Sequence, residues 1–417
     1  MRELLFLSHR VPYPPDKGEK IRAWHILKHL ATSHDVHLGC LADDPADLAQ
    51  LGELYKICAS VGCFGISPAL QKARALAYMR VGRPMTIDIF HSLALRNWVA
   101  ETLSGRPIER IFAFSSAVAG YVSGQRRYAR VLDMVDIDSE KWRAYAPFHR
   151  WPMRTLYRRE ADTLLAMERQ LALDFDMTLF VSEAEAKRFS VLAPESRDRI
   201  GWVDNGVDLE SFSPTQVFPC PFPRGVENIV FTGTMNYWPN VDAVNWFVDA
   251  ILPLVRQKHP GVLFWIVGST PSRAVLRHRQ TPGVIVTGRI PDVRPFLAHA
   301  DVAVAPLRIA RGIQNKVLEA MAMARPVVAT PEAFEGLRAV PGQDLLVANS
   351  PETMAQFIVE VLESEYPALG SAARLAVECN HSWSNTLRAL DAVFDTTGSA
   401  AAQSPYPAPT ILSTAAI

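Results

Sequence analysis

The segment from Arg308 to Glu319 contains the residues whose types and spacing best suit chemistry. After a short apolar run comes a loop and then a helical pattern, and together they carry Arg308, Arg311, Gly312, Lys316 and Glu319. Gly312 allows the backbone to approach a ligand closely, and the N–H groups at the start of a helix attract anions. A lysine and a glutamate there suit a nucleoside diphosphate and its ribose hydroxyls. The alternative is an ordinary i,i+3 ion pair on a helix surface.

The loop from Gly233 to Asn240 is a second candidate, because it directly follows an apolar run. The backbone N–H groups of Gly233 and Thr234 can bind a phosphate at the carboxyl end of a strand. The loop contains no arginine or lysine, so the cations for such a ligand would be Arg308, Arg311 and Lys316. An ordinary strand-to-helix turn is the alternative.

Three aspartates, Asp133, Asp136 and Asp138, lie at the end of another apolar run. Asp136-Ile-Asp138 has the DxD spacing with which some enzymes hold a divalent cation, since carboxylate oxygens are hard ligands. For Asp138 we favour a different role, that of a helix N-cap. We therefore predict no metal site.

An arginine-rich segment runs from Phe148 to Arg159. It combines basic and aromatic side chains, namely Arg150, Arg154, Arg158 and Arg159 with Trp151 and Tyr157. Such a mixture suits the surface of an anionic membrane. The same pattern also occurs on solvated helix faces, so both interpretations stay open.

The elements that must position these residues form two series. Short apolar runs alternate with helical periodicity, first at Met1–Ser8, Val36–Leu41, Ile111–Phe114, Val131–Val135 and Thr178–Val181, and later at Asn228–Thr232, Leu263–Val267, Val284–Thr287, Val302–Ala305 and Pro326–Thr330. Strands that alternate with helices indicate βαβ units and parallel sheets. The later five runs each break at glycine or proline on the carboxyl side, where ligands bind in open α/β sheets. We predict two doubly wound domains with a cleft between them.

Composition narrows the class of protein. The 417 residues carry 43 basic and 43 acidic side chains, and 49% of them are apolar. This supports two domains with real cores and argues against an electrostatically driven nucleic-acid binder. The five cysteines lack paired spacing and suggest a reducing compartment. Because the sequence shows neither a signal-peptide pattern nor an apolar run of membrane-spanning length, we expect a soluble, cytoplasmic protein.

Several segments, in order, resemble the large retaining glycosyltransferase family with the GT-B fold, family four in the usual classification. They are the opening loop that ends at Gly18, Phe180-Val-Ser-Glu183, Asp204-Asn-Gly-Val-Asp-Leu-Glu-Ser-Phe-Ser-Pro214, Gly288-Arg-Ile-Pro-Asp292, and Glu319-Ala-Met-Ala with Arg-Pro-Val-Val-Ala329. Arg311–Glu319 and Asp133–Trp142 look like the sugar transferases of exosortase/PEP-CTERM exopolysaccharide systems. The resemblance covers about Met1 to Phe394.

The resemblance implies a GT-B architecture of two Rossmann-like domains. We place an acceptor-side domain at 1–205, a linker at 206–225 and a nucleotide-sugar-binding domain at 226–375. A C-terminal helix at 376–395 would pack back on the first domain, and 396–417 would form a disordered tail.

The resemblance also implies retaining transfer of a hexosyl group from a UDP- or GDP-sugar to a sugar or lipid-linked acceptor. Lys316 and Arg311 would bind the diphosphate, Glu319 the ribose, and Asp136 would approach the acceptor. The other donor-binding positions would be Gly18, Gly233, Thr234, Arg289, Ile290, Arg308, Gly312, Ile313 and Asn315. Because the donor phosphate is thought to take the acceptor proton, no protein nucleophile and no bound cofactor are implied.

Glu19, Lys20 and Arg22 follow Gly18, and the resemblance places them beside the diphosphate. Charges on the first turn of a helix are otherwise usually solvated.

Two departures from the family pattern affect these expectations. Arg311 occupies the position of the first of two signature glutamates, and arginine cannot accept a hydrogen bond from a sugar hydroxyl. It could bind the diphosphate or the carboxylate of a uronic-acid donor. The loop after Gly233 lacks the family's arginine and lysine. A nucleotide-sugar 2-epimerase and a non-catalytic partner protein of the same fold stay as alternatives.

Overall fold

The computed structural model describes residues 2–78, 82–310 and 312–400, which form two compact units. Unit 1 comprises the residues up to Asp204 and those from Leu387 onward, and unit 2 is Asn205–Thr386. Each unit contains one parallel sheet with helices between successive strands. Within the described residues, every helix is too short or too polar to cross a lipid bilayer.

Unit 1 has a seven-stranded sheet in the order β3-β2-β1-β4-β5-β6-β7. Its strands are β1 Arg2–Ser8, β2 His34–Ala42, β3 Ser60–Gly65, β4 Ile108–Phe114, β5 Ala129–Val135, β6 Met177–Phe180 and β7 Ile200–Trp202. The described helices between them are α1 Gly18–Leu30, α2 Pro45–Leu48, α3 Leu51–Tyr55, α4 Pro68–Tyr78, α5 Met85–Ile89, α6 Leu93–Gly105, α7 Ser116–Ala119, α8 Asp138–Tyr145, α9 Met153–Asp174 and α10 Glu183–Leu192. Two 3₁₀ turns occupy Ala146–Phe148 and Pro194–Arg199.

Unit 2 repeats the design with six strands in the order β10-β9-β8-β11-β12-β13. The strands are β8 Asn228–Thr232, β9 Leu263–Val267, β10 Val284–Gly288, β11 Val302–Ala305, β12 Val327–Ala329 and β13 Leu346–Val347. The described helices are α11 Trp238–Trp246, α12 Leu252–Val255, α13 Arg273–Leu276, α14 Arg294–His299, α15 Asn315–Ala322, α16 Pro331–Phe334, α17 Pro351–Leu362, α18 Leu369–Asn380 and α19 Trp383–Thr386. A π-helical segment, Phe247–Ile251, joins α11 to α12, and a 3₁₀ turn, Arg277–Gln280, follows α13.

The segment predicted as a linker, 206–225, lies inside unit 2, where Val207 forms a parallel bridge with Ser382. The last described helix, α20 Arg388–Ala400, belongs to unit 1. There Phe394 packs against Phe112 of β4, with ring centroids 6.1 Å apart. The helix extends into the stretch expected to be a disordered tail, whose remaining residues, 401–417, lie outside the described part of the chain.

Both sheets form because their strands are short apolar runs that are buried on both faces. In β8, for example, Ile229, Val230 and Phe231 are fully buried, as parallel strands covered by helices on both faces require. In each unit the first strand is central and the chain turns outward to either side, which is the doubly wound order. The carboxyl ends of the central strands therefore meet at one edge of each sheet, where both candidate sites lie.

Candidate functional site

In unit 2 the candidate site lies where β8 ends, beside the first turn of α15. Gly233 has a φ of +155°, and a Cβ atom there would lie 2.8 Å from Nδ2 of Asn240 and 3.3 Å from Nζ of Lys316. Glycine is therefore needed for this loop to approach both side chains. The loop, Asn240 and Lys316 form one compact polar cluster.

Lys316 is held by contacts from two other elements. Its Nζ donates a hydrogen bond to Oδ1 of Asn240 at 2.5 Å and lies 4.5 Å from the centroid of the Phe231 ring. Burial lowers the pKa of Lys316 to about 7, although the nearby Glu319 carboxylate acts in the opposite direction. Near pH 7 the side chain of Lys316 is therefore only partly protonated, and a bound anion would raise its pKa and its protonated fraction.

Glu319 lies one turn further along α15 and makes no ion pair with Lys316 within 4.0 Å in the described structure. The alternative of a simple i,i+3 surface pair is therefore not what the structure shows. Burial raises the pKa of Glu319 to about 7, opposed by the charge of Lys316. Among the described residues no group donates a hydrogen bond to its carboxylate, which leaves both oxygens able to accept from a ligand's hydroxyls.

The first turn of α15 has no side-chain cap and no acidic residue. The backbone N–H groups of Gly312, Ile313, Asn315 and Lys316 have no acceptor among the described residues. Such groups, together with the helix dipole, favour an anion at this point. In the loop after β8, the N–H of Gly233 donates to the Val267 carbonyl at 3.0 Å, so of the two predicted donors in this loop only Thr234 has a backbone N–H without a described acceptor.

Arg308 does not reach this cluster as an unpaired cation. Its Nη2 and Nε donate to the two carboxylate oxygens of Asp242 at 2.6 Å and 3.0 Å, and its guanidinium lies 5.4 Å from the Trp246 ring centroid. Arg308, which was predicted to bind the phosphate, is therefore half-exposed, and its charge is already neutralised by a bidentate pair with Asp242. Arg311, the other predicted cation, lies outside the described residues.

The remaining predicted donor-binding residues of unit 2 are distributed around the sheet edge. Asn315 accepts a hydrogen bond from Nδ2 of Asn205 at 3.2 Å, and Ile313 is buried in the core of this unit. Arg289 is exposed directly after β10, and Ile290 packs partly against the same core. The sequence reasoning missed Asn240, although its place in the third position of α11 was a usable signal.

In unit 1 the predicted cations after Gly18 are tied into the protein. Lys20 is buried and donates to Asp47 at 2.7 Å, and buried Arg22 donates to Asp133 at 2.9 Å. Nη1 of Arg22 also donates to the Val203 carbonyl at 2.8 Å. Lys20 and Arg22 were expected to face a diphosphate. The structure instead has both side chains in buried ion pairs with aspartates.

Glu19 is also paired, since it accepts from Arg10 at 3.2 Å, and Arg10 in turn contacts Asp43 at 3.2 Å. Gly18 is the first residue of α1.

Asp136 differs from Asp133, because no group in the described structure donates a hydrogen bond to the carboxylate of Asp136, whereas that of Asp133 accepts from Arg22. It follows Val135, whose φ of +69° is rare for a β-branched residue and directs the chain away from β5. Burial raises the pKa of Asp136 to about 7, with Lys141 acting in the opposite direction. A half-buried carboxyl group with such a pKa can exchange a proton near neutral pH.

Asp138 is not the N-cap of α8, which corrects that part of the sequence interpretation. The N-cap position belongs to Ile137, and Asp138 is the first helical residue. The turn is satisfied from another helix, since Oε1 of Glu168 accepts from the backbone N–H of Ser139 at 3.0 Å. Within the described residues, no group of three or more histidine, cysteine, aspartate or glutamate side chains could hold a metal ion.

His9 is a half-buried titratable group at the same sheet edge that the sequence analysis did not single out. It follows β1 directly and packs against Phe114 and Phe90, with ring centroids 6.0 Å and 5.2 Å away. Burial lowers its pKa to about 4, so the imidazole is neutral at pH 7. Its position at the end of the first strand was a signal, because the carboxyl ends of β1, β4 and β5 are neighbours.

Residues 226–364, which lie within unit 2, match the family model for glycosyl transferases group 1. No curated protein matches the chain. Similar solved structures are sucrose-phosphate synthase from Thermosynechococcus elongatus (TM-score 0.69, 14% identity, 96% of this chain and 100% of that chain), HepE from Anabaena in complex with UDP-glucose (0.67, 16%, 95% and 100%), and a glycosyltransferase from Rickettsia africae (0.64, 14%, 95% and 98%). The predicted fold class, two Rossmann-like domains of the GT-B type, is confirmed.

Proposed function

We propose that the protein is a glycosyltransferase that moves a hexosyl group, with retention, from a nucleoside-diphosphate sugar to a sugar or lipid-linked acceptor. The observation that carries the proposal is the cluster of Lys316, Asn240 and uncapped N–H groups at the start of α15. This cluster lies inside the matched glycosyl transferases group 1 domain. A UDP- or GDP-sugar is the donor class, and HepE, of similar fold, is in complex with UDP-glucose.

The diphosphate binds Lys316 and the N–H groups of Thr234, Gly312 and Ile313. Phosphate oxygens accept all of these donors at once, and a neighbouring anion restores the charge of the lysine. The same interactions strengthen as the glycosidic bond breaks, because negative charge then develops on the leaving diphosphate. Arg311 contributes a second cation there, or binds the carboxylate of a uronic-acid donor.

Glu319 accepts the ribose hydroxyls, for which an ionised carboxylate without competing donors is suited. Arg289 and Ile290, after β10, flank the base. Asp136 orients the acceptor hydroxyl through a carboxyl group that has no other hydrogen-bond partner among the described residues. The donor phosphate takes the acceptor proton, so the mechanism requires no protein nucleophile and no metal.

The proposed reaction is a step in exopolysaccharide biosynthesis. The similarity of Arg311–Glu319 and Asp133–Trp142 to transferases of exosortase/PEP-CTERM systems supports this assignment. Such chains grow on lipid-linked precursors, which agrees with a lipid-linked acceptor.

The first experiment is thermal unfolding with UDP, GDP, ADP and CDP, each with Mg²⁺ and with EDTA. A nucleotide at 100 times its Kd stabilises the folded state by about 2.7 kcal/mol. We expect one nucleotide to raise Tm equally with and without metal. A shift that requires Mg²⁺ would contradict the metal-free site, and no shift with any nucleotide would favour a non-catalytic protein.

Product analysis then tests the reaction itself. The protein is incubated with the donor identified by unfolding, with and without a lipid-linked sugar acceptor, and the anomeric configuration of the product is read by NMR. We expect a new glycosidic bond with the donor's configuration. An epimerised nucleotide sugar formed without acceptor would identify a 2-epimerase instead.

A further inference from the structure

Three exposed apolar side chains lie close together where α8 turns into α9. The exposed fractions are 56% for Phe148, 82% for Trp151 and 40% for Met153. Trp151 is the only tryptophan among the large exposed apolar residues of the described chain. Exposed aromatic groups in a cluster mark an interaction surface more often than single exposed side chains do.

Three arginines surround this apolar group. Arg150, Arg154 and Arg158 are exposed, and their side chains have no hydrogen-bond or ion-pair partner among the described residues. Arg154 and Arg158 lie one turn apart on α9, and Arg150 precedes the helix, with its carbonyl accepting from the backbone N–H of Arg154 at 3.0 Å. No aspartate or glutamate occurs from Ala146 to Arg159.

The charge of Arg154 does not stabilise α9, in whose first turn it lies. That turn contains no acidic residue, although a helix N-terminus is stabilised by negative charge and destabilised by positive charge. Arg154 therefore adds to the positive end of the helix dipole. An anion outside the chain would relieve this repulsion.

The surface is supported from below by packed rings. Tyr157 of α9 lies 5.1 Å from the ring of Trp142 and 4.7 Å from that of His149, and Ala146 is buried. The exposed side chains are thus carried by an ordered turn between α8 and α9.

We propose that Phe148, Arg150, Trp151, Met153, Arg154 and Arg158 form a docking surface for anionic phospholipid headgroups. The arginines bind the phosphates, and Trp151 and its apolar neighbours enter the boundary between headgroups and acyl chains. The apolar part distinguishes this occupant from a nucleic acid, and the net charge of zero makes the attraction local to this surface. The inference does not depend on the proposed transferase activity, since lipid binding is measured without a donor.

The test is co-sedimentation with vesicles of phosphatidylcholine containing phosphatidylglycerol, and with vesicles of phosphatidylcholine alone. We expect salt-sensitive binding only to the anionic vesicles. The variant Arg150→Ser/Arg154→Ser/Arg158→Ser should bind roughly 100-fold more weakly, at the usual contribution of an arginine near an anionic surface. Trp151→Ser should lower the affinity for anionic vesicles by a smaller factor, and the binding that remains should still depend on salt.

A charge-matched control is Arg197→Ser/Arg224→Ser/Arg273→Ser, which removes three other exposed arginines without hydrogen-bond or ion-pair partners among the described residues. It should bind like the wild type. Equal binding by both triple variants would overturn the proposal, and so would no binding of the wild type to anionic vesicles. Arginine-dependent binding to a short single-stranded nucleic acid, without binding to vesicles, would overturn it in favour of a nucleic-acid surface. Circular dichroism checks that each variant folds.

Discussion

The two sheets share the order of their first six strands, but the polar groups at their carboxyl edges differ in whether they are already paired. At the edge in unit 2, Lys316, Glu319 and the first N–H groups of α15 keep open hydrogen-bonding capacity. At the edge in unit 1, Lys20 and Arg22 are buried in ion pairs with acidic partners. Asp136 is different, since its carboxyl group accepts no hydrogen bond from any described group.

This difference teaches that charge content alone does not identify the anion site. Both loops contain basic residues after a first strand or beside a helix start, and from the sequence they look equally suited to a diphosphate. At the edge in unit 2 the N–H groups at the start of α15 have no described acceptor, whereas Lys20 and Arg22 in unit 1 donate to buried acidic partners. A donor that already has a buried partner has little to gain from a ligand.

The largest expected effect is on the buried pair in unit 1. Arg22→Met should lower the free energy of unfolding by about 3–5 kcal/mol, because it leaves the buried Asp133 carboxylate without its cation. Urea denaturation measures this loss, and nucleotide affinity should not change in the folded fraction. Weaker nucleotide binding without loss of stability would instead give Arg22 a ligand-binding role and break the comparison.

In unit 2 the expected effect falls on binding. Lys316→Ala should weaken nucleotide binding and lower kcat/KM by roughly 100-fold, since it removes the described cation of the anion site. Its stability should stay close to that of the wild type, because the lysine is held with a depressed pKa. Calorimetric titration with the nucleotide measures the affinity.

Lys258→Ala, at an exposed position of the same unit, is the control for that substitution. Unchanged turnover by Lys316→Ala would contradict the assignment of the phosphate to this residue.

Asp136→Asn should change stability and activity in opposite directions, with higher stability above neutral pH and a lower kcat. The folded state raises the pKa of Asp136 from 3.8 to about 7, so between these values the folded protein binds more protons than the unfolded chain. Stability contributed by this group is therefore lost as pH rises from about 4 to 7. At pH 8 the Asn variant should be more stable than the wild type by about 1–2 kcal/mol, with less difference at pH 4.

The same variant should have a lower kcat, because the acceptor loses an ionisable partner. Denaturation at the two pH values and initial rates are the measurements. Full activity would remove Asp136 from the reaction.

The smallest expected effect concerns pH and Asn240. Nucleotide affinity of the wild type should fall as pH rises above 7, because Lys316 loses its proton there when no ligand is bound. Asn240→Asp places a carboxylate at the position that accepts from Lys316, which should raise the lysine pKa and flatten this pH dependence several-fold between pH 7 and 8.

Asn240→Ala is the control that removes the hydrogen bonds of this side chain without adding a charge. It should weaken nucleotide binding at all pH values, because Lys316 and the loop after Gly233 lose their common partner. An identical pH profile in wild type and Asn240→Asp would contradict the role of this contact.

Much of the fold was predictable, because short apolar runs that alternate with helical periodicity leave few alternatives to parallel α/β domains. The predicted run Val302–Ala305 coincides with β11, and the helix expected through Lys316 and Glu319 is α15. The strands β3, β7 and β13 were missed for physical reasons. Ser60–Gly65 contains two glycines and only moderately buried residues, while Ile200–Trp202 and Leu346–Val347 are too short to show a period.

By itself the sequence determined two doubly wound domains, the strand ends at which sites could lie, and the lysine–glutamate helix of unit 2. Apolar periodicity and glycine placement are local properties, and they act before any distant contact forms. Only the tertiary structure decided which charges stay available. Lys20 pairs with Asp47, Arg308 with Asp242, and Lys316 with the amide of Asn240, each partner lying at least 27 residues away. Such pairing depends on burial and on distances between elements, which no local pattern of residues contains.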